Sequence, residues 1–414
     1  MSKNIAIIGA GISGLTAAIE LESLGYTPVI FEADKKVGGR VQSDVYEGYI
    51  MDHGFQVLLS AYPMAQKYLN FETLALDSFE SGSYIFKNGK QFCIGDPLRD
   101  SSLVLPTLFS TIGSFSDKLK IFKLSRSLKS KTIDEIFNAE EKSTYDYLKD
   151  FGFSTPFIKD FFQPFFGGIF LENELQTSSR MFEFIFKMFN EGNAVIPRKG
   201  IQEIPNQLQA QLKETKIYFS AKVEKIVGNT IHFSDGATHT SDYIIVATEA
   251  SKIVPQLAAS ELTWKGTETL YFEVEKNTFE RHMIGLIAFD ENCIINSICF
   301  PKSVLPEAQH KLLSVSITKT HQFSDANLII EVEKDLKTVA NCKPLRFLKK
   351  YTIPLALPDL TDVKRTVHPS ETQLTTHIFL AGDTLLNGSL NAAMHSGELA
   401  AQAIHEKISG NMFS

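Results

Sequence analysis

The sequence predicts an α/β protein: a parallel sheet begun at the N-terminus and completed at the C-terminus, with a discontinuous α+β portion between. Three observations carry that reading. An apolar strand, Ile5-Ala6-Ile7-Ile8, runs into the glycine turn Gly9-Ala10-Gly11-Ile12-Ser13-Gly14 and then into a helix. A second apolar strand, Thr27–Phe31, ends on Glu32. The C-terminus returns to the theme, with strand Ile378-Phe379-Leu380, turn Ala381-Gly382-Asp383 and a last helix. Strands that are apolar throughout suit a parallel sheet covered on both faces.

In the first helix Ile12, Leu15 and Ile19 recur at helical spacing, and Gly25 closes it. The pattern changes near residue 76. Residues 116–131 read as a basic helix with Ile121, Leu124 and Leu128 on one face, and 154–190 as phenylalanine-rich helices on either side of a break at Gly167-Gly168. An amphipathic helix runs from Pro205 to about Lys213. Short strands follow at Ile217–Phe219, Lys222–Val227, Thr230–Phe233 and Tyr243–Val246, with Ser234-Asp235-Gly236 as a hairpin turn. Residues 265–320 read as further strands and 325–339 as a helix. The last helix carries a small-residue face, Ala393, Gly397, Ala400, Ile404 and Ile408, suited to close packing.

At 414 residues the chain is long enough for two interleaved domains, and its 43% hydrophobic content is that of a folded protein. The boundaries fall at 1–75, 195–262 and 364–414 for a Rossmann-like domain, and at 76–194 and 263–363 for a substrate domain. A net charge of −7 excludes a general nucleic-acid binder. The four cysteines are scattered, with no metal-site spacing, so no metal is expected and a reducing cytoplasm is. A strand beginning near residue 3 leaves no room for a cleaved signal peptide, and the apolar stretches 103–115 and 161–171 are too short to span a bilayer. Thirty-two phenylalanines against one tryptophan imply a thick core or an apolar pocket.

The glycine turn carries the first chemistry. Gly9 permits a tight turn, Gly11 lets backbone approach a pyrophosphate, and Gly14 allows helix–strand packing. The helix start at Ile12 and Ser13 offers N–H groups to phosphate. Glu32, followed by Ala33, stands 18 residues beyond Gly14, where a carboxylate accepts from ribose hydroxyls. This much does not separate NAD from FAD.

Val37-Gly38-Gly39-Arg40 does separate them. There the sequence resembles the flavin amine oxidase and phytoene desaturase superfamily, which also contains protoporphyrinogen oxidase. The resemblance implies non-covalent FAD, with Gly38, Gly39 and Arg40 against the pyrophosphate. It extends to Gly54-Phe55-Gln56 beside the flavin, Val223 at the adenine and Ala247 on a strand leading back to the cofactor. At the far end it implies Gly382 and Asp383 at the ribityl chain or pyrophosphate, and Ser389-Leu390 at a helix beneath the flavin pyrimidine.

Within that superfamily the segment Asn387–Gly397 looks closest to the phytoene desaturase branch, and no aromatic follows directly on Asp383 as an amine cage would require. The expected reaction is hydride transfer from an apolar, isoprenoid-like or other lipid-like substrate to flavin N5, with oxygen or a quinone as acceptor. Flavin amine oxidase is the alternative. Phe161–Phe170 either lines a substrate tunnel or packs helices. The cations of 118–131 suggest peripheral contact with the inner face of a membrane. His53 and His395 lie in motif segments, but no residue is assigned to catalysis. Two rivals share the fold: UDP-galactopyranose mutase, which performs no net redox, and the lipid-binding Rab GDP-dissociation inhibitors.

Overall fold

The computed structural model describes residues 3–96, 99–258, 262–302, 305 and 308–410. Its parallel sheet has five strands in the order Lys216–Tyr218, Val29–Phe31, Ile5–Ile8, Tyr243–Val246 and Ile378–Leu380. All four pairings are parallel. The chain therefore visits this sheet three times, and the strand that leads into the glycine turn lies at its centre. Such strands must be apolar on both faces, and Ile5–Ile8 is buried throughout.

The first helix, Ile12–Ser23, and the last, Leu390–Ser409, pack on one face of this sheet. The predicted small-residue stripe makes their contact. A Cβ on Gly397 would lie 2.2 Å from the Ser13 carbonyl oxygen, so glycine there sets how closely the two helices approach. An antiparallel meander, Val223–Val227, Thr230–Phe233 and Thr238–Thr240, covers the opposite face.

A second sheet of seven strands runs in the order Pro344–Pro358, Trp264–Val274, Lys311–Ile317, Ser297–Cys299, Ile284–Ile287, Gly82–Lys87 and Lys90–Gly95. Every pairing in it is antiparallel except Ile284–Ile287 with Gly82–Lys87. Helices Phe115–Ser130, Gln163–Phe170 and Ser179–Glu191 share a core of stacked and edge-on phenylalanines, with Phe162, Phe166 and Phe182 fully buried. Leu124 and Leu128 face that core, as their spacing predicts.

Two expectations are corrected. The helix does not break at Gly167-Gly168 but runs through to Phe170 and ends on Leu171 in the left-handed region. The glycines serve packing: a Cβ on Gly168 would lie 2.6 Å from the Asn296 side chain, and one on Gly167 2.5 Å from the Glu172 carbonyl. The amphipathic helix near Pro205 spans Glu203–Ala210, because Pro205 falls in its first turn, where a missing N–H costs nothing.

Candidate active site

The glycine turn is held from three sides. Gly9 N–H donates to the Phe31 carbonyl at 2.8 Å, Gly38 N–H to the Ala10 carbonyl at 2.9 Å, and Ala247 N–H to Ile8 at 2.9 Å. The glycines differ in what they require. Gly14 is filled by its own fold, since a Cβ there would sit 2.0 Å from the Gly9 oxygen. A Cβ on Gly11 would meet nothing within 4 Å. No neighbour among the described residues demands glycine at that position, and the space beside its backbone is open to the cavity.

Glu32 is buried at the end of the second strand, and both its oxygens are engaged: Ala10 N–H donates at 2.6 Å and Asp34 N–H at 2.8 Å. Each carboxylate oxygen keeps a lone pair for a hydroxyl donor. Arg40 Nη2 donates to Asp383 Oδ1 at 2.5 Å, and Nη1 to the Ala356 carbonyl at 3.1 Å. The ion pair joins the GGR turn to the C-terminal turn across 343 residues, and Asp383 is only 5% exposed. Gln56 donates to the carbonyls of Arg40 and His53 at 2.9 and 3.0 Å, which fixes the strand end carrying Gly54 and Phe55. Ser389 caps the last helix by accepting from Ala392 N–H at 3.1 Å, while Asn391 instead accepts from Met64 N–H.

These residues surround one cavity of about 1150 Å³. Gly9, Gly11, Ile12, Ser13, Glu32, Ala33, Gly38, Gly39 and Arg40 line it, as do Gly54, Phe55, Gln56, Val223, Ala247, Gly382, Asp383, Ser389 and Leu390. Gly14 alone among the predicted positions does not, because it faces Gly9. The cavity continues beyond the sheet to Phe165, Ile169, Phe170, Ile185, Phe189 and Leu286. The phenylalanine-rich segment thus serves both readings: Phe162 and Phe166 are core, while the partly exposed Phe165 faces the chamber and the buried Phe170 belongs to both.

Sequence reasoning missed the polar strip at that far end. Asn296 and Ser297 come from the start of one strand of the large sheet, and Ser316 and Thr318 from the end of its neighbour, without a motif in either. Trp264 also lines the cavity with its ring beneath the Arg40 guanidinium, 5.3 Å away, and its buried indole N–H has no partner among the described residues. The signal available for it was its being the single tryptophan of the chain. Lys265 beside it donates to Thr177 Oγ1 at 3.1 Å and pairs with Asp359 at 3.2 Å.

The two candidate histidines part company. His53 lines the cavity, 3.1 Å from Asp44. Burial works against ionised Asp44, but hydrogen bonds from Lys349, Tyr351 and His53 outweigh it and hold the carboxyl well below its usual range. His395 lies outside the cavity lining, 2.8 Å from Thr366 Oγ1, and burial depresses its pKa. Among the described residues no group of acidic, histidine and cysteine side chains could hold a metal ion.

A glycine turn at the centre of a parallel sheet, opening on a chamber roofed by a second sheet, defines a two-part nucleotide-cofactor protein. The chain belongs to the flavin containing amine oxidoreductase family, whose model matches residues 12–405. It is 32% identical over 170 residues to protoporphyrinogen oxidase 2, chloroplastic/mitochondrial, of Arabidopsis thaliana, covering 40% of this chain and 32% of that protein. It is 26% identical over 290 residues to an L-amino-acid oxidase of Daboia russelii, covering 64% and 54% respectively. These matches span about a third to a half of the curated relatives. An oxidoreductase structure from Methanosarcina mazei superposes with a TM-score of 0.72 at 18% identity, over 97% of this chain and all of that one, which establishes the fold.

Proposed function

We propose that the chain is an oxidoreductase that holds FAD non-covalently and oxidises an apolar, lipid-like substrate. The observation that carries this is the continuity of one cavity from the glycine turn and Glu32 to Phe165, Ile169 and Phe189. Its volume exceeds the roughly 300–1,000 Å³ of an ordinary small-molecule pocket, so cofactor and substrate fit end to end. The cofactor would lie along the segments 1–75, 195–262 and 364–414, and the substrate against 76–194 and 263–363.

The donor set suits FAD. Gly11 leaves space for a pyrophosphate, Glu32 accepts from ribose hydroxyls, and Arg40 supplies the charge-assisted donor. No cysteine lines the cavity among the described residues, which supports a non-covalent site. When bound, the flavin supplies a hydride acceptor at N5 and passes electrons on to oxygen or a quinone. The chain's part is to position and to exclude water. The apolar wall orients the substrate, and the first turn of the last helix, capped by Ser389, places its positive end where negative charge develops. A desaturase-type reaction fits the apolar wall of Phe165, Ile169 and Phe189. Four unpaired cysteines suit a cytoplasmic setting.

Amine oxidation is the second reading, favoured by Trp264 as an aromatic wall. Against it, Thr384 and Leu385 follow Asp383 in the lining where a second ring would stand. Among the described residues a diphosphate-sugar substrate finds one cation at the far end, Lys265, already paired with Asp359. The test is the visible spectrum of the purified protein, followed by anaerobic addition of substrates. Flavin bands that survive gel filtration and bleach with a polyprenoid but not with an amine support the proposal. Bleaching by amines alone selects the second reading. A colourless protein that takes up no FAD overturns both.

A further inference from the structure

Seven of the seventeen large apolar side chains exposed on the described surface fall within residues 104–122. Val104, Leu105, Leu108 and Phe109 project from the short helix Val104–Phe109; Phe115, Leu119 and Phe122 from the helix Phe115–Ser130. Phe109 is 77% exposed and Phe115 63%. The two helices form one unit, since Lys118 Nζ donates to the carbonyls of Leu108 at 3.1 Å and Ser110 at 2.6 Å. Residues 101–116 carry no charged side chain. A cluster of this kind on a monomer marks an interaction surface.

Charge identifies the partner. Phe115, Leu119 and Phe122 make a stripe at i, i+4, i+7, and Arg126 and Lys129 continue it for two more turns, with exposed Lys123 alongside. The stripe is apolar at one end and cationic at the other. The acids flanking it along the chain are spent elsewhere: Asp117 is buried as the helix-capping acceptor, Asp134 pairs with Arg365, and Asp100 pairs with Arg281.

We infer that this face docks on an anionic lipid surface, with the apolar ridge 104–122 inserted and Lys123, Arg126 and Lys129 against headgroups. The surface departs from the simple basic-helix expectation, because Lys118, Lys120 and Lys131 spend their ammonium groups on the protein's own Leu108, Gly152 and Glu183. Insertion is shallow, as no described helix is long and apolar enough to cross a membrane. The inserted helix packs on Ser179–Glu191, where Ser125 donates to Asn190 at 3.0 Å, and Ile185 and Phe189 of that helix line the chamber. The lipid face and the apolar end of the cavity thus lie on opposite sides of one helix. The inference concerns a surface and stands whichever substrate the flavin oxidises.

The test is sedimentation of the full chain with vesicles of phosphatidylcholine and phosphatidylglycerol, and with vesicles of phosphatidylcholine alone. The chain is expected to sediment with the anionic vesicles and to lose that binding at least about tenfold in F109S/F115S/F122S. K123E/R126E/K129E should bring anionic binding down to the neutral level. Thermal midpoints of both variants near that of the parent show that the fold survives. A parent chain that stays in solution with both compositions overturns the inference, as does a triple serine variant that sediments like the parent. Equal binding to both compositions overturns the anionic assignment. A parent dimer that turns monomeric in the serine variant, without vesicle binding, assigns the face to a second copy instead.

Discussion

The two ends of the cavity are built on different principles. At the dinucleotide end the structure is made by backbone: Gly9 and Gly38 adopt positive φ, the turn is pinned by hydrogen bonds to neighbouring main chain, and the side chains that matter are Glu32, Arg40 and Asp383. At the far end the wall is made by side chains packed together from Gln163–Phe170, Ser179–Glu191 and strands of the large sheet. Backbone geometry tolerates few residues at each position, whereas a packed wall accepts many of similar volume. The first end is therefore specified locally, the second only by the assembled fold.

The largest test of that contrast lies within the glycine turn. Gly14→Ala forces a Cβ to 2.0 Å from the Gly9 oxygen, and should destabilise the protein by about 3 kcal/mol or more, read as a fall in the urea midpoint. Gly11→Ala points its methyl into open cavity and should leave the midpoint unchanged, while flavin retained after gel filtration falls at least about tenfold. If both variants lose stability equally, Gly11 is a structural glycine and the cofactor argument built on it fails.

A second pair sharpens the contrast at the far end. Phe162 is fully buried among Phe153, Phe157 and Phe182, so Phe162→Ala should cost about 3–5 kcal/mol. Phe165, three residues on, faces the chamber, and Phe165→Ala should cost about 1 kcal/mol while raising KM for an apolar substrate. Urea melts and anaerobic flavin reduction separate the two. A stability loss at Phe165 matching that at Phe162 would return the whole segment to helix packing.

This division explains what the sequence disclosed. The strand, turn and helix at residues 5–23, the carboxylate at Glu32 and the returning strand at 378–380 are readable because each is a contiguous pattern with one geometric solution. Gly167-Gly168 misleads for the opposite reason. A glycine pair reads as a break, yet the close approach of Asn296 and Glu172 is what excludes a side chain, and neither neighbour is visible from the local sequence. Asn296, Ser316 and Trp264 sit in three different strands or loops, so only the sheet order brings them to one wall. The Arg40–Asp383 pair lies between these cases: both residues stand in readable motifs, but their direct contact is a tertiary fact.

A gain in stability rather than a loss is expected on the seam between the two ends, at Asp52. This residue closes a strand that leads to His53 and Gly54 on the cavity wall; its carboxyl accepts from Ser43 Oγ at 2.6 Å and Ile201 N–H at 3.0 Å, and its carbonyl from Tyr271 of the large sheet at 2.9 Å. Burial pushes the pKa up to about 6, and the two hydrogen bonds only partly oppose that. An unfolded aspartate releases its proton near pH 4, so between roughly pH 4 and 6 the unfolded chain loses a proton that the folded one keeps, and stability falls as pH rises through that window. Asp52→Asn keeps an acceptor for Ser43 and Ile201 without the ionisation. It should match the parent near pH 4 and exceed it by about 1–2 kcal/mol at pH 8 in urea melts. A variant whose advantage does not grow with pH would show that ionised Asp52 is already solvated in the folded protein, and that the seam is wetter than either end it joins.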